Sequence, residues 1–197
     1  CLIVYTANHG RFLGEHGWFG THWIYEESSR VPLVLFGNPR PDTAPKIIND
    51  NLVQDIDVVP TILESLQIEV PKEIQGRSLL PLLDDNNSKP WRQALYFHYH
   101  DFPQEQMVPK HRGIRSLSQK LIHYYQFDEW ELFDLSKDPN ENHNLYKNEA
   151  YQRQIEELKS KLEDLKTAFE DDSDISVMPE EWRRIYRGPD ARKKVDE

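Results

Sequence analysis

The sequence predicts a mixed α/β protein in which the edge portion of a larger sheet is followed by a small antiparallel sheet packed with a C-terminal helix. Three observations predict it. Two apolar runs of strand-forming residues, Cys1–Thr6 and Val31–Phe36, flank a polar loop with four glycines. Four aromatic-rich segments alternate with turn residues between positions 94 and 135. Apolar residues then recur at alternating spacings of four and three from Tyr151 to Phe169, the period of a helix with one apolar face.

Taken in order, the continuous apolar run Cys1–Thr6 predicts a strand buried on both faces of a parallel sheet, with Cys1 a small buried hydrophobe. The loop Asn8–Gly20 follows at its carboxyl end, where open α/β sheets bind ligands. Its glycines permit close backbone approach. His22–Ser29 predicts a short helix and Val31–Phe36 a second strand, parallel to the first, with Pro32 near its start. Gly37–Asn51, with three prolines, reads as an irregular connection. Leu52, Val53, Ile56, Val59, Leu63 and Leu66 predict an amphipathic helix that Pro60 kinks or divides.

Asp84–Pro90 reads as a polar linker, which divides the chain into residues 1–90, a smaller unit at 91–169 and a tail at 170–197. In the smaller unit, Ala94–Tyr99, Gly113–Leu117, Lys120–Gln126 and Glu131–Leu135 predict an antiparallel sheet. The helix near 149–169 spans only about three heptads, so packing on that sheet is favoured over a coiled coil. Asp134 and Asp138 read as turn and cap residues; Gln54, Asp55 and Asp57 read as structural.

Among 197 residues, 24 Lys and Arg stand against 34 Asp and Glu, a formal charge of -10. That balance argues against a general nucleic-acid or anionic-membrane binder and leaves room for a local cationic pocket. A single Cys excludes an intrachain disulfide and a cysteine-based zinc site. No run of about 18 apolar residues occurs, so no membrane span is expected. With no starting Met and an apolar strand at its first residue, the chain reads as part of a larger protein.

Several segments carry a resemblance in collinear order. Tyr5-Thr6-Ala7-Asn8-His9-Gly10, Leu13-Gly14-Glu15-His16-Gly17-Trp18-Phe19 and Tyr25-Glu26-Glu27-Ser28-Ser29-Arg30-Val31-Pro32 come first. Val53 to Thr61, Gln75 to Leu82, His111-Arg112-Gly113-Ile114-Arg115 and Trp130 to Leu135 follow. Together they resemble the sulfatase family of the alkaline-phosphatase superfamily. The resemblance implies that residues 1–90 are the C-terminal part of an alkaline-phosphatase-like catalytic domain and 91–169 its C-terminal subdomain. It implies a calcium or similar divalent cation held by oxygen-rich ligands, with Asn8 and His9 at two ligand positions. It also implies an upstream formylglycine nucleophile, which Cys1-Leu2-Ile3-Val4-Tyr5 does not supply.

Two positions depart from the family pattern. Asn8 stands where an aspartate is usual and offers a neutral carbonyl oxygen. Thr21 stands where a lysine usually faces the sulfate, and loss of such a donor typically costs about 10²-fold or more. His22, when protonated, is the candidate substitute; the competing reading of His22 and Trp23 is a helix start with a buried indole. His111 and Arg115, and less strongly His98 and His100, are candidates for the pocket mouth, Arg being suited to a bidentate grip on a sulfate or carboxylate. His98 and His100 equally fit a solvated sheet face.

The function implied is hydrolysis of a sulfate ester on a carbohydrate or related molecule, in a periplasmic, extracellular or lysosomal setting. A non-catalytic sulfatase-like protein that binds sulfated glycans is the alternative from another class. A phosphodiester or phosphonate hydrolase of the same superfamily is a third reading.

Overall fold

The computed structural model describes residues 1–37, 51–83, 90–102 and 108–173. The chain divides into two compact units, one of Cys1–Gly10 with Arg30–Gln93, the other of Arg11–Ser29 with the chain from Ala94 onward. Residues 11–29, which the linear division kept with the first part, therefore pack with the second.

In the first unit, β1 (Ile3–Thr6) and β4 (Leu33–Phe36) form a two-stranded sheet. Their pairing is antiparallel, with Ile3 opposite Phe36 and Thr6 opposite Leu33, and this corrects the expected parallel arrangement. A parallel pair needs a crossover that carries the chain back to the start of the first strand. Here the intervening residues are spent in the second unit, and the chain re-enters β4 beside the carboxyl end of β1. Burial on both faces is not found either: Ile3, Tyr5, Val34 and Phe36 line one face and are at least half exposed. Cys1, expected inside, is exposed and lies ahead of the paired register.

Pro60 marks a boundary. A 3-10 turn at Asp55–Asp57 leads into α2 (Val58–Ser65), with Pro60 in its first turn, where the missing N–H costs no helical hydrogen bond. Buried Asp57 holds this unit together. Its carboxylate accepts from the backbone N–H of Gln54 at 2.8 Å and of Arg77 at 2.8 Å, and takes a two-pronged grip from Arg92 at 2.6 Å each. The structural reading of Asp57 holds. The expected connection at 38–50 and linker at 84–89 lie outside the described residues.

The second unit is a four-stranded antiparallel meander: β5 (Ala94–Tyr99), β6 (His111–Ser116), β7 (Gln119–Tyr124) and β8 (Glu129–Asp134). Alternation gives the sheet two faces. On one, Ile114, Leu121 and Leu132 pack against Ile155, Leu158 and Leu162 of α3 (Gln152–Ala168), each such side chain contributing about 1.5–3 kcal/mol on full burial. The other face carries Ile122, Tyr124 and Phe133, which receive Phe12, Trp18, Trp23, Ile24 and Tyr25. Those aromatics are why 11–29 belong here: a hairpin of β2 (Phe12–Leu13) and β3 (Phe19–Gly20), then α1 (Glu26–Ser29), lay them on the sheet. Gly113 leaves room for this; a Cβ there would sit 2.8 Å from the Leu121 carbonyl oxygen and 3.2 Å from Ile24 Cδ1.

The helix expected over His22–Ser29 is confined to Glu26–Ser29. Asp134 and Asp138 accept backbone N–H groups of Ser136 and His143, at 3.2 and 2.8 Å, as turn residues do. The tail beyond 173 lies outside the described residues.

Candidate functional site

Asn8 and His9 follow directly on the carboxyl end of β1 in the first unit, and both are exposed. The Asn8 side-chain oxygen accepts the His9 backbone N–H at 3.0 Å. His9 Nδ1 lies 3.0 Å from the Gly10 carbonyl oxygen, so in the neutral ring it carries the hydrogen and Nε2 the lone pair. An amide oxygen with a second lone pair is the kind of ligand hard cations such as calcium take, whereas an imidazole nitrogen suits transition metals. Among the described residues no group of three or more His, Cys, Asp or Glu is placed to hold a metal ion.

In the second unit, β3 delivers the chain into Thr21-His22-Trp23. Thr21 and Trp23 are buried and His22 between them is exposed. His22 has φ +80°, a backbone conformation that non-glycine residues rarely adopt, and its ring stacks on Tyr99 at 5.4 Å. Tyr99 in turn meets His111 at 5.5 Å, and Trp23 stacks on His111 at 6.2 Å. His22, Tyr99 and His111 thus form one column of rings.

His111 is fully buried. Its Nδ1 donates to the Pro109 carbonyl at 2.7 Å, while Nε2 has no hydrogen-bond partner among the described residues. Burial pushes its pKa down to about 4 against the Pro109 bond, with His98 and His22 adding to the depression. The neutral ring is a member of the aromatic core.

Arg115 is committed to protein groups. Its Nε and Nη2 reach the two Glu26 carboxylate oxygens at 3.1 and 3.2 Å, and Nη1 donates to the Ser116 carbonyl at 2.9 Å. Burial of Glu26 works to raise its pKa, but Arg115 and Lys120 outweigh that and carry it down to about 2.

His98 and His100 do not form a solvated pair. His98 Nδ1 lies 2.6 Å from Asp171 Oδ2 and Nε2 3.0 Å from the Tyr125 hydroxyl, while His100 is exposed and packs edge-on to His98. Burial lowers the His98 pKa against the pull of Asp171. The structure therefore brings His22 and His111 together and gives Arg115 and His98 their own carboxylates.

Three functional-looking residues carried no sequence signal. Tyr99 is one aromatic among several in β5. Lys120 and Glu141, both wholly buried, look in sequence like ordinary surface charges. A run spelling Ser-x-Pro-x-Arg occurs at Ser88-Lys89-Pro90-Trp91-Arg92; its Arg92 braces Asp57 and its Trp91 Nε1 donates to the Leu52 carbonyl at 2.7 Å, while Ser88 lies outside the described residues. No helix of the described residues is long and apolar enough to cross a membrane.

Residues 14–168 match the family described as N-sulphoglucosamine sulphohydrolase, C-terminal. The N-acetylglucosamine-6-O-sulfatase of Bacteroides thetaiotaomicron is 39% identical over 178 residues, 86% of this chain and 31% of that protein. The Delta 4,5-hexuronate-2-O-sulfatase of the same organism is 30% identical, covering 87% of this chain and 36% of its own length. The solved structure of BT4656 in complex with its substrate D-glucosamine-2-N,6-O-disulfate superposes with TM-score 0.75 at 39% identity, covering 88% of this chain and 35% of that one. The chain thus spans about a third of the length of the relatives it matches. Sulfatases as a family use a divalent metal and a formylglycine. From the ordered motifs, the two-faced antiparallel sheet with its helix and these likenesses, the chain belongs to the sulfatase family of the alkaline-phosphatase superfamily.

Proposed function

We propose that this chain is the C-terminal part of a sulfatase that hydrolyses a sulfate ester on an amino sugar or related carbohydrate. The observation that carries the reading is the 39% identity to an N-acetylglucosamine-6-O-sulfatase over 86% of the chain. The formylglycine nucleophile is assigned to the part of a relative-length protein that this chain does not span. Asn8, through its amide oxygen, and His9, through a ring nitrogen, are the residues of this chain that would hold the cation. When bound, a calcium or similar cation polarises the ester and withdraws charge from its oxygens.

His22 is the group proposed to face the sulfate. Tyr99 supports one face of its ring, and a protonated imidazole there donates to an ester oxygen as charge develops in the transition state. Thr21, at the position usual for lysine, is neutral and buried, so the charge passes to its neighbour. His111 and Arg115 back this surface rather than touch substrate: His111 packs behind Tyr99, and Arg115 holds Glu26.

The test is sulfate release from 6-sulfated glucosamine derivatives by the full-length protein, followed by ion chromatography. Turnover is expected, lost on chelation and reduced at least about 10²-fold by His22→Ala. Asn8 and Thr21 support a second reading, since each replaces a charged group by a neutral one. On that reading the full-length protein binds sulfated glycans without releasing sulfate.

A further inference from the structure

We propose that Lys120 is a positioning residue for His22, acting through a buried ionic lock on Ile24 and Glu26. The conformation to be explained is that of His22, whose φ of +80° is strained for a residue with a Cβ. Such strain persists only where the surroundings over-determine it, and it collects at functional sites. Two residues downstream, the Lys120 ammonium, with no exposure to solvent, donates to the Ile24 carbonyl at 2.7 Å. It also lies 2.9 Å from Glu26 Oε1 and 2.8 Å from Glu141 Oε1, the latter an ion pair without hydrogen-bond geometry.

The lock closes on itself. Glu141 Oε2 accepts the Glu26 backbone N–H at 2.6 Å, and Arg115 forks onto the Glu26 carboxylate. Two cations thus face two carboxylates, which satisfies the condition for burying charge. Glu141 has a positive φ of its own, +54°, so strain is accepted at both ends of the assembly. Tyr25, between the two locked residues, hydrogen-bonds Glu131 through its hydroxyl. Residues 24 to 26 are therefore each anchored, Ile24 and Glu26 through backbone atoms by Lys120 and Glu141 and Tyr25 through its side chain. With Trp23 stacked on Trp18 at 4.1 Å, His22 is left one conformation, the one stacked on Tyr99.

Removing the ammonium leaves the Ile24 carbonyl without its donor and the two carboxylates without the cation between them. The segment 20–26 then loosens and His22 relaxes to an ordinary φ, leaving Tyr99. The catalytic consequence, weaker stabilisation of the charge that develops on the ester, rests on the sulfatase reading; the lock itself rests on the geometry.

The experiment compares Lys120→Met with the unsubstituted full-length protein, by histidine-selective NMR and peptide-resolved amide hydrogen exchange. Leu158→Ala, in the α3 face of the sheet, controls for general destabilisation. In Lys120→Met the ring-current-shifted His22 signals are expected to move toward those of a solvated histidine. Exchange over 20–26 should accelerate at least about tenfold with that of α3 unchanged, and Leu158→Ala should show the opposite distribution. Unmoved His22 signals, or equal acceleration everywhere, overturn the proposal.

Should Lys120→Met not fold, Glu141→Gln retains an acceptor for the Glu26 N–H and removes one lock charge. The same local shift is expected from it, and its absence overturns the proposal equally. In the kinetic arm, Lys120→Met is expected to lower kcat for the sulfate ester about tenfold with KM little changed, as loss of an interaction made in the transition state does. If the unsubstituted protein shows no turnover, the sulfatase reading fails, and the exchange result decides the lock alone.

Discussion

Acidification from pH 6.5 to about 4 should weaken the second unit through one buried side chain, His111. In the fold its Nδ1–H is spent on Pro109, its Nε2 has no hydrogen-bond partner among the described residues, and its ring lies against those of Trp23, Tyr99 and Tyr124. A second proton would place a cation among rings, which is why its pKa falls to about 4 while an unfolded histidine titrates near 6.5. Across that interval the unfolded chain binds the proton and the folded one does not, so stability declines as pH falls and levels off below about 4. At about 1.4 kcal/mol per pH unit, the interval is worth about 3 kcal/mol.

The assay is urea unfolding at a series of pH values for the protein and for His111→Phe. Phenylalanine suits the aromatic surroundings and cannot titrate. His123, also depressed to about 4 by burial and then by Arg112, and all carboxylates contribute to both curves. Subtraction therefore isolates His111. The variant is expected to start lower at neutral pH by about 1 kcal/mol, for the lost hydrogen bond to Pro109, and to lose about 3 kcal/mol less on acidification. Parallel curves would refute the assignment of His111 as a buried neutral imidazole.

Other outcomes follow from the same geometry. Arg92→Met leaves the buried Asp57 carboxylate without its cation and should cost about 3–5 kcal/mol in denaturant unfolding; a loss below about 1 kcal/mol, the scale of a surface pair, would show that Asp57 does not depend on Arg92. Gly76→Ala would place a Cβ 1.9 Å from the Ile56 carbonyl oxygen, and a fall of several degrees in Tm is expected, so an unchanged Tm counts against the close approach. Asn8→Asp in the full-length protein supplies an anionic oxygen and should tighten calcium binding about tenfold by calorimetry; unchanged affinity would remove position 8 from the ligand set.

Much of this protein was legible in its sequence because the signals are local. The four strands of the meander follow aromatic-rich runs between turn residues, and α3 follows apolar spacing that tertiary packing then used as it stood. The family, too, was legible, since its motifs are contiguous runs in fixed order.

What only the tertiary structure decided are pairings between distant residues. The direction of β4 against β1 depends on where 11–29 pack, and strand periodicity is the same for parallel and antiparallel neighbours. Arg115, His98 and His111 looked alike as polar residues of a candidate pocket. One forks onto Glu26, one binds Asp171 and one lies inside an aromatic core, because their partners are set by the fold: Asp171 stands 73 residues from His98 and Glu26 stands 89 from Arg115, and Trp23 comes to His111 from the start of the chain. Lys120 shows the limit most clearly: its charge predicts a solvated position, and only the arrival of Glu26 from well before it and Glu141 from beyond β8 offsets the cost of its burial.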